Sequence, residues 1–140
     1  MAQTLTLTLD IVTPEAVVHS DNVQMVTLPA VTGQIGILPQ HVPLLTLVVP
    51  GEIIVRRNGE ESYLAVGEGL VQVTGDRVEI ATTMAVPSDK IDEARVEEAR
   101  ARAAARLEDK ISDEEVAAVN AALANSLAQL HVKRRRHPSA

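Results

Sequence analysis

A chain of 140 residues with formal net charge −6, no Cys and one aromatic residue, Tyr63, is long enough for one ordinary domain or a small domain with an appendage. Thiol nucleophiles and Cys-based zinc sites are excluded, and the missing Cys fits a reducing compartment. The acidic balance argues against general phosphate binding, and one aromatic ring cannot supply a series of base-stacking platforms, so nucleic acid is not an expected partner.

The elements follow in chain order. Met1-Ala2-Gln3-Thr4-Leu5 carries no basic stretch leading into an apolar run, so no signal peptide is expected. Leu5, Leu7, Leu9 and Ile11 alternate with Thr4, Thr6, Thr8 and Asp10, the period of a half-buried strand. Residues 23–28 are a second strand candidate. Residues 44–49 read as a strand covered on both faces, being nearly all apolar. Residues 53–57 and 62–66 flank Asn58-Gly59, a hairpin signal, and residues 69–74 and 77–82 flank Gly75-Asp76, another. Many short strands at short spacing predict an antiparallel β-sandwich or flattened barrel over residues 1–87.

The composition changes at Pro87. All seven Gly lie between Gly33 and Gly75, and residues 88–137 contain neither Gly nor Pro. Residues 1–88 carry nine acidic and three basic side chains; residues 89–140 carry ten of each. Residues 88–140 therefore read as a two-helix antiparallel hairpin with a basic C-terminal tail. Ser88 or Asp89 is placed to cap the first helix, which should run to about Asp109. Ser112-Asp113-Glu114-Glu115 is a capping box that restarts the chain as a second helix. Val116, Val119, Leu123, Leu127 and Leu130 form one apolar stripe along it. The expected helix–helix interface is rich in Ala, including Ala94, Ala99, Ala103, Ala104, Ala117, Ala121, Ala124 and Ala128. Small side chains bury little area, and Ala is the best helix former. Such a hairpin is expected to leave its seat without unfolding.

No catalytic constellation is present. His19, Ser20 and Asp21 are consecutive, so they cannot form a relay. His19, His41, His131 and His137 are not spaced as metal ligands, and no phosphate-loop pattern occurs. No segment reaches the roughly 20 apolar residues of a membrane span. The tail Lys133-Arg134-Arg135-Arg136-His137 has two readings: a solvated helix end that suits the helix dipole, or a ligand for an acidic protein partner.

The segment from Gly33 to Leu45, Gly-Gln-Ile-Gly-Ile-Leu-Pro-Gln-His-Val-Pro-Leu-Leu, reads as a glycine-relieved loop displaying apolar side chains. It closely resembles the signature of the ε subunit family of F-type ATP synthases. Ile11-Val12-Thr13-Pro14-Glu15, Pro50-Gly51, Gly67-Glu68-Gly69-Leu70-Val71, Ile91-Asp92-Glu93-Ala94-Arg95 and Leu127-Ala128-Gln129-Leu130 fall at the family's places, so the resemblance covers nearly the whole chain. It implies a non-catalytic central-stalk subunit that joins γ to the c ring and regulates ATP hydrolysis through a mobile hairpin. The implied ring contact is Gly33, Gln34, Ile35 and Gly36, with His41 just beyond; Gln34 stands where some relatives carry Glu. The implied regulatory tail is Lys133, Arg134, Arg135 and Arg136, directed at an acidic segment of a β subunit. A second helix ending at Arg136 would reach roughly 35 Å.

Some relatives bind ATP on the folded hairpin. Asp92 and Arg95 match that motif and Arg102 fills a further basic position, whereas Val96 replaces its Ala and the second helix has no Arg before Arg134. The other reading is a surface pair of Asp92 with Arg95. No cofactor is expected on that account. The implied partners are γ, the c ring and the α and β catalytic subunits, with the chain peripheral to the membrane on its cytoplasmic side, or on the stromal side of a thylakoid. The alternative is a free-standing β-sandwich adaptor with a helical oligomerisation tail.

Overall fold

The computed structural model describes residues 5–137; Thr4 of the expected first strand and Pro138 lie outside the described residues. Ten strands come first: β1 (Leu7–Val12), β2 (Val17–Val23), β3 (Met25–Ala30), β4 (Gly33–Ile37), β5 (Leu44–Val48), β6 (Gly51–Arg57), β7 (Glu60–Val66), β8 (Gly69–Thr74), β9 (Arg77–Thr82) and β10 (Ala85–Pro87). A single 3₁₀ turn, Ser88–Lys90, leads to α1 (Glu93–Arg106) and α2 (Asp113–Arg136). The strands form one ladder in the order β10-β7-β6-β3-β5-β8-β9-β1-β2, with β4 paired to β3. The ladder folds over itself as a β-sandwich, and the two-helix hairpin follows. One ladder departs from the expected antiparallel pattern: β1 and β9 run parallel.

Alternation decides which side chains enter the sandwich. Leu7, Leu9 and Ile11 point inward from β1 and meet Val78 and Ile80 of β9 in one buried cluster. Val26 and Leu28 of β3, Ile53 and Val55 of β6, and Val71 and Val73 of β8 complete its centre. Both expected turns form. Asn58 and Gly59 take φ of 53° and 79°, as a type I′ turn needs. Gly75 takes φ of 59° at the first central position of the β8–β9 turn, as type II′ needs.

Four expectations are corrected. The segment after Gly33 is not a loop: Gly33–Ile37 is β4, hydrogen-bonded to β3 from Val26↔Ile37 to Ala30↔Gly33. β5 is not covered on both faces, because Leu45 and Leu47 project outward. The strand pair with two covered faces is β6–β7, where Ile54 and Ala65 lie outside the sandwich and α2 packs over them. The first helix starts later and stops earlier than expected. Asp92, not Ser88 or Asp89, is its N-cap, accepting from the Arg95 backbone N–H at 3.2 Å, and the helix ends at Arg106.

Candidate functional site

Three surfaces collect the candidate residues. The first is an apolar patch. Leu47 and Leu70 are cross-strand partners on β5 and β8, both outward. Leu45 is 64% exposed and Val42, just before β5, is 70% exposed. Val31, in the β3–β4 turn, is tied to the same strand by its N–H, which donates to the Leu47 carbonyl at 3.1 Å. Scattered apolar side chains on a surface mean little, but several contiguous ones mark a docking face.

The second surface is the β3–β4 hairpin, which holds Gly33, Gln34, Ile35 and Gly36. Gln34 is exposed, Ile35 is half-buried against the core, and Ile37 is fully buried. A Cβ at Gly36 would lie 2.8 Å from Met25 Cε, so a side chain there would displace Met25. His41 is outside the strand. Its Nδ1 lies 2.7 Å from the Val42 carbonyl, and the adjacent Gln40, at φ 63°, donates its backbone N–H to Asp76 at 2.6 Å. The structure thus places Gln34 on a paired strand and His41 on the connection into the apolar strand.

The third surface is the seat of the hairpin. α1 buries no residue, whereas Ser126, Ala128, Leu130 and Val132 of α2 are buried. Val132 and Ile91 share a small cluster with Ala65, and Tyr63, Met84, Val86 and Val96 pack against it. Fully burying Leu130 and Val132 contributes about 1.5–3 kcal/mol each. The expected apolar stripe does not seat as a whole: Leu127 faces solvent and Val116, Val119 and Leu123 are only half-buried. Nor are the Ala residues all interfacial, since Ala94, Ala104, Ala117 and Ala121 are exposed. Only the C-terminal part of α2 is firmly held.

The basic tail is part of that seat. Arg136 donates to both oxygens of Glu52, at 2.9 and 2.6 Å, and lies 4.0 Å above the centre of the Tyr63 ring. The Glu52 hydrogen bonds raise the Arg136 pKa above its ordinary value. Arg135 approaches the same carboxylate at 3.8 Å. Arg134 bridges Glu93 and Glu97 of α1, at 2.7 and 3.0 Å. Lys133 donates to the Ser88 carbonyl at 3.5 Å, and His137 Nε2 lies 3.0 Å from Ser88 Oγ. A purely solvated tail is therefore not what the folded chain contains. Glu52 and Tyr63 were not singled out in the sequence. Tyr63 offered one signal as the sole aromatic, and the apolar pair Ile53-Ile54 beside Glu52 offered another.

Asp92, Arg95 and Arg102 do converge. With Lys90, Ser126 and Gln129 they line a groove of about 310 Å³ between α1 and α2. Asp92 is engaged as a helix cap rather than in the expected side-chain pair with Arg95, and Arg102 lies 3.8 Å from Glu98. His19, Ser20 and Asp21 separate as expected: Ser20 donates to Asp10 at 2.7 Å, and Asp21 pairs with Arg57. Among the described residues no group of His, Asp and Glu is arranged to hold a metal ion, and no helix is long and apolar enough to cross a membrane.

Comparisons with known proteins agree over nearly all of the described residues. Residues 6–88 match the model for the ATP synthase, Delta/Epsilon chain, beta-sandwich domain. Residues 89–134 match the ATP synthase, Delta/Epsilon chain, long alpha-helix domain. The chain is similar to the ATP synthase epsilon chain of Herpetosiphon aurantiacus, 41% identical over 91% of this chain and 94% of that one. It is 38% identical to the epsilon chain of Laribacter hongkongensis, over 94% of this chain and 99% of the other. A chain in the Euglena gracilis mitochondrial ATP synthase structure (OSCP/F1/c-ring) shares the fold, with TM-score 0.73 at 21% identity, covering 90% of this chain and 79% of that one.

Proposed function

Because this chain belongs to the ATP synthase delta/epsilon chain family, we propose that it is the non-catalytic stalk subunit that links γ to the c ring and restrains ATP hydrolysis through its hairpin. The apolar patch of Val31, Val42, Leu45, Leu47 and Leu70 is the observation that carries this reading. It is exposed apolar surface of the kind that forms the core of a subunit contact, and γ is its proposed occupant. The β3–β4 hairpin beside it presents Gly33, Gln34, Ile35 and Gly36 to the c ring, with His41 at the margin. Gln34 makes that contact by hydrogen bonding rather than by charge.

The hairpin supplies regulation. Docked, its tail arginines are matched by Glu52, Glu93 and Glu97. Released, the hairpin extends Lys133, Arg134, Arg135 and Arg136 toward acidic surfaces of the α and β catalytic subunits. The chain is then peripheral to the membrane, on the cytoplasmic side, held there by its partners. A bound nucleotide is not part of the proposal, since α2 offers Ser126 and Gln129 to the groove but no cation.

Co-assembly tests the reading. Leu47→Asp changes an exposed side chain, so the isolated subunit keeps its fold. It should fail to join γ and the c ring in a reconstituted complex. Normal assembly of the variant would sink the proposed use of this face.

A further inference from the structure

Glu52 and Tyr63 form a receptor on the outer face of β6–β7 for one guanidinium, that of Arg136. We propose that occupancy of this receptor, more than the packing of the helices, decides whether the hairpin is docked. The proposal rests on the regulatory role given to the hairpin above and names the contact that sets it.

Three observations support it. First, the sandwich holds the hairpin chiefly through α2: α1 buries no residue, and its Val96 packs only half-buried against the small cluster under α2. Its apolar seat is small, centred on Leu130 and Val132, and such contacts tolerate sliding. A bidentate guanidinium–carboxylate pair does not, because both N–H···O bonds fix distance and direction. Second, the pair is shielded. The Glu52 side chain is 8% exposed and that of Arg136 is 19% exposed. Third, the cover over Glu52 is the end of α2 itself, including Arg135 and Arg136. When α2 leaves, both charges return to water. Breaking the pair in place would strand a buried charge, whereas undocking strands none.

That asymmetry makes the pair a switch. A shielded ion pair adds little net stability over an apolar pair of similar size, yet losing one partner is strongly unfavourable. Removing one partner should therefore expel the hairpin without unfolding the sandwich. Replacing both by apolar side chains should leave it docked and remove its ability to release.

The chain has no Cys, so two introduced Cys, one on exposed Glu79 of β9 and one on exposed Leu127 of α2, carry spin labels cleanly. Pulsed dipolar distances on the isolated full-length subunit report the docked fraction. Glu52→Gln should lower the docked-to-undocked ratio on the order of tenfold, the loss expected for hydrogen bonds to a charged group. Tyr63→Leu should lower it less, and Tyr63→Phe, which keeps the ring face, should not. Glu52→Met with Arg136→Met should restore docking. A docked fraction in Glu52→Gln equal to the parent's would overturn the proposal, as would a double variant as undocked as the single one. These distances are read without partners, so a failed latch is distinguishable from a failure of the regulatory role, which only the assembled complex reports.

Discussion

Gly67 lies directly beneath Asn125. A Cβ built on Gly67 would stand 2.7 Å from Asn125 Oδ1 and 2.4 Å from Thr83 Oγ1. The strand-to-strand turn after β7 is therefore the floor on which the middle of α2 rests. Gly67 is held in place from both sides, donating its N–H to Met84 at 2.9 Å and accepting from the Thr82 hydroxyl at 3.0 Å. The floor cannot sink to make room. Gly67→Ala should lift α2 at a cost of about 1–3 kcal/mol, the range for overpacking a tight contact. Amide hydrogen exchange should accelerate in residues 123–136 while the β1 and β9 amides stay protected. Unchanged exchange in α2 would remove Gly67 from the seat.

The legible parts of this fold are those with a local physical cause. Asn58-Gly59 and Gly75-Asp76 announced their hairpins because left-handed backbone at those positions suits few residues. Ser112 and Glu115 announced the restart of α2, and the Ser112 hydroxyl does accept the Glu115 N–H at 3.2 Å. β2 was not legible, because Val17–Val23 holds His19, Ser20, Asp21 and Asn22 in succession and becomes a strand by pairing with β1. β4 was hidden by two Gly that read as a loop. The β5 run looked doubly covered because apolar sequence reports burial without saying by what; among the described residues nothing covers Leu45 and Leu47. The ligand for Arg136 was illegible for a simpler reason: Glu52 is 84 residues away, and no periodicity spans that distance.

The cap at Ser112 is open to measurement. Glu115 completes only part of a capping box. Its Oε1 lies 3.4 Å from Ser112 Oγ, and its Oε2 accepts from Arg106 of α1 at 2.8 Å. The residue thus ties the two helices as well as the turn. Ser112→Ala should destabilise the start of α2 by about 1 kcal/mol. Carbon secondary shifts should show fraying over residues 113–116, with residues 126–132 unaffected. Helical shifts unchanged at the N-terminus would mean that Arg106–Glu115 alone suffices.

Glu97 gives the hairpin a defined response to acid. Its pKa lies below the ordinary glutamate value of 4.5, chiefly through the hydrogen bond from Arg100 and then through that from Arg134, with desolvation opposing. A depressed carboxylate stabilises the folded state above its unfolded pKa and loses that contribution as pH falls through its folded pKa. The contribution of Glu97 is therefore constant above pH 4.5 and fades below it. Carboxyl ¹³C titration should place the midpoint of Glu97 below the ordinary glutamate value of 4.5. Arg100→Gln should move it up further than Arg134→Gln does. A larger shift from Arg134→Gln would reverse the ranking of the two partners.

Gln34 tests the proposed ring contact separately from the γ contact. It is exposed on β4, opposite Pro29 of β3, so a longer side chain there meets no core atom. Gln34→Lys should leave the fold and the γ contact intact and weaken coupling between ion flow and ATP synthesis. In membrane vesicles, hydrolysis should continue while ATP-driven ion pumping falls. Equal pumping by parent and variant would place the ring contact elsewhere.

Tail truncation and tail release should act on hydrolysis with opposite signs. Deleting the chain from Lys133 removes Arg136 and so empties the Glu52–Tyr63 receptor. It also removes the cations proposed to engage the catalytic subunits. Such a hairpin undocks yet cannot restrain, so ATP hydrolysis by the assembled complex should rise. Glu52→Gln empties the same receptor and leaves every tail cation in place, so the freed hairpin should restrain more strongly and hydrolysis should fall. The pair of variants separates the two uses of the tail, because both disrupt docking and only one retains the basic ligand. If both changed hydrolysis in the same direction, undocking alone would govern the rate and the tail cations would have no inhibitory contact of their own.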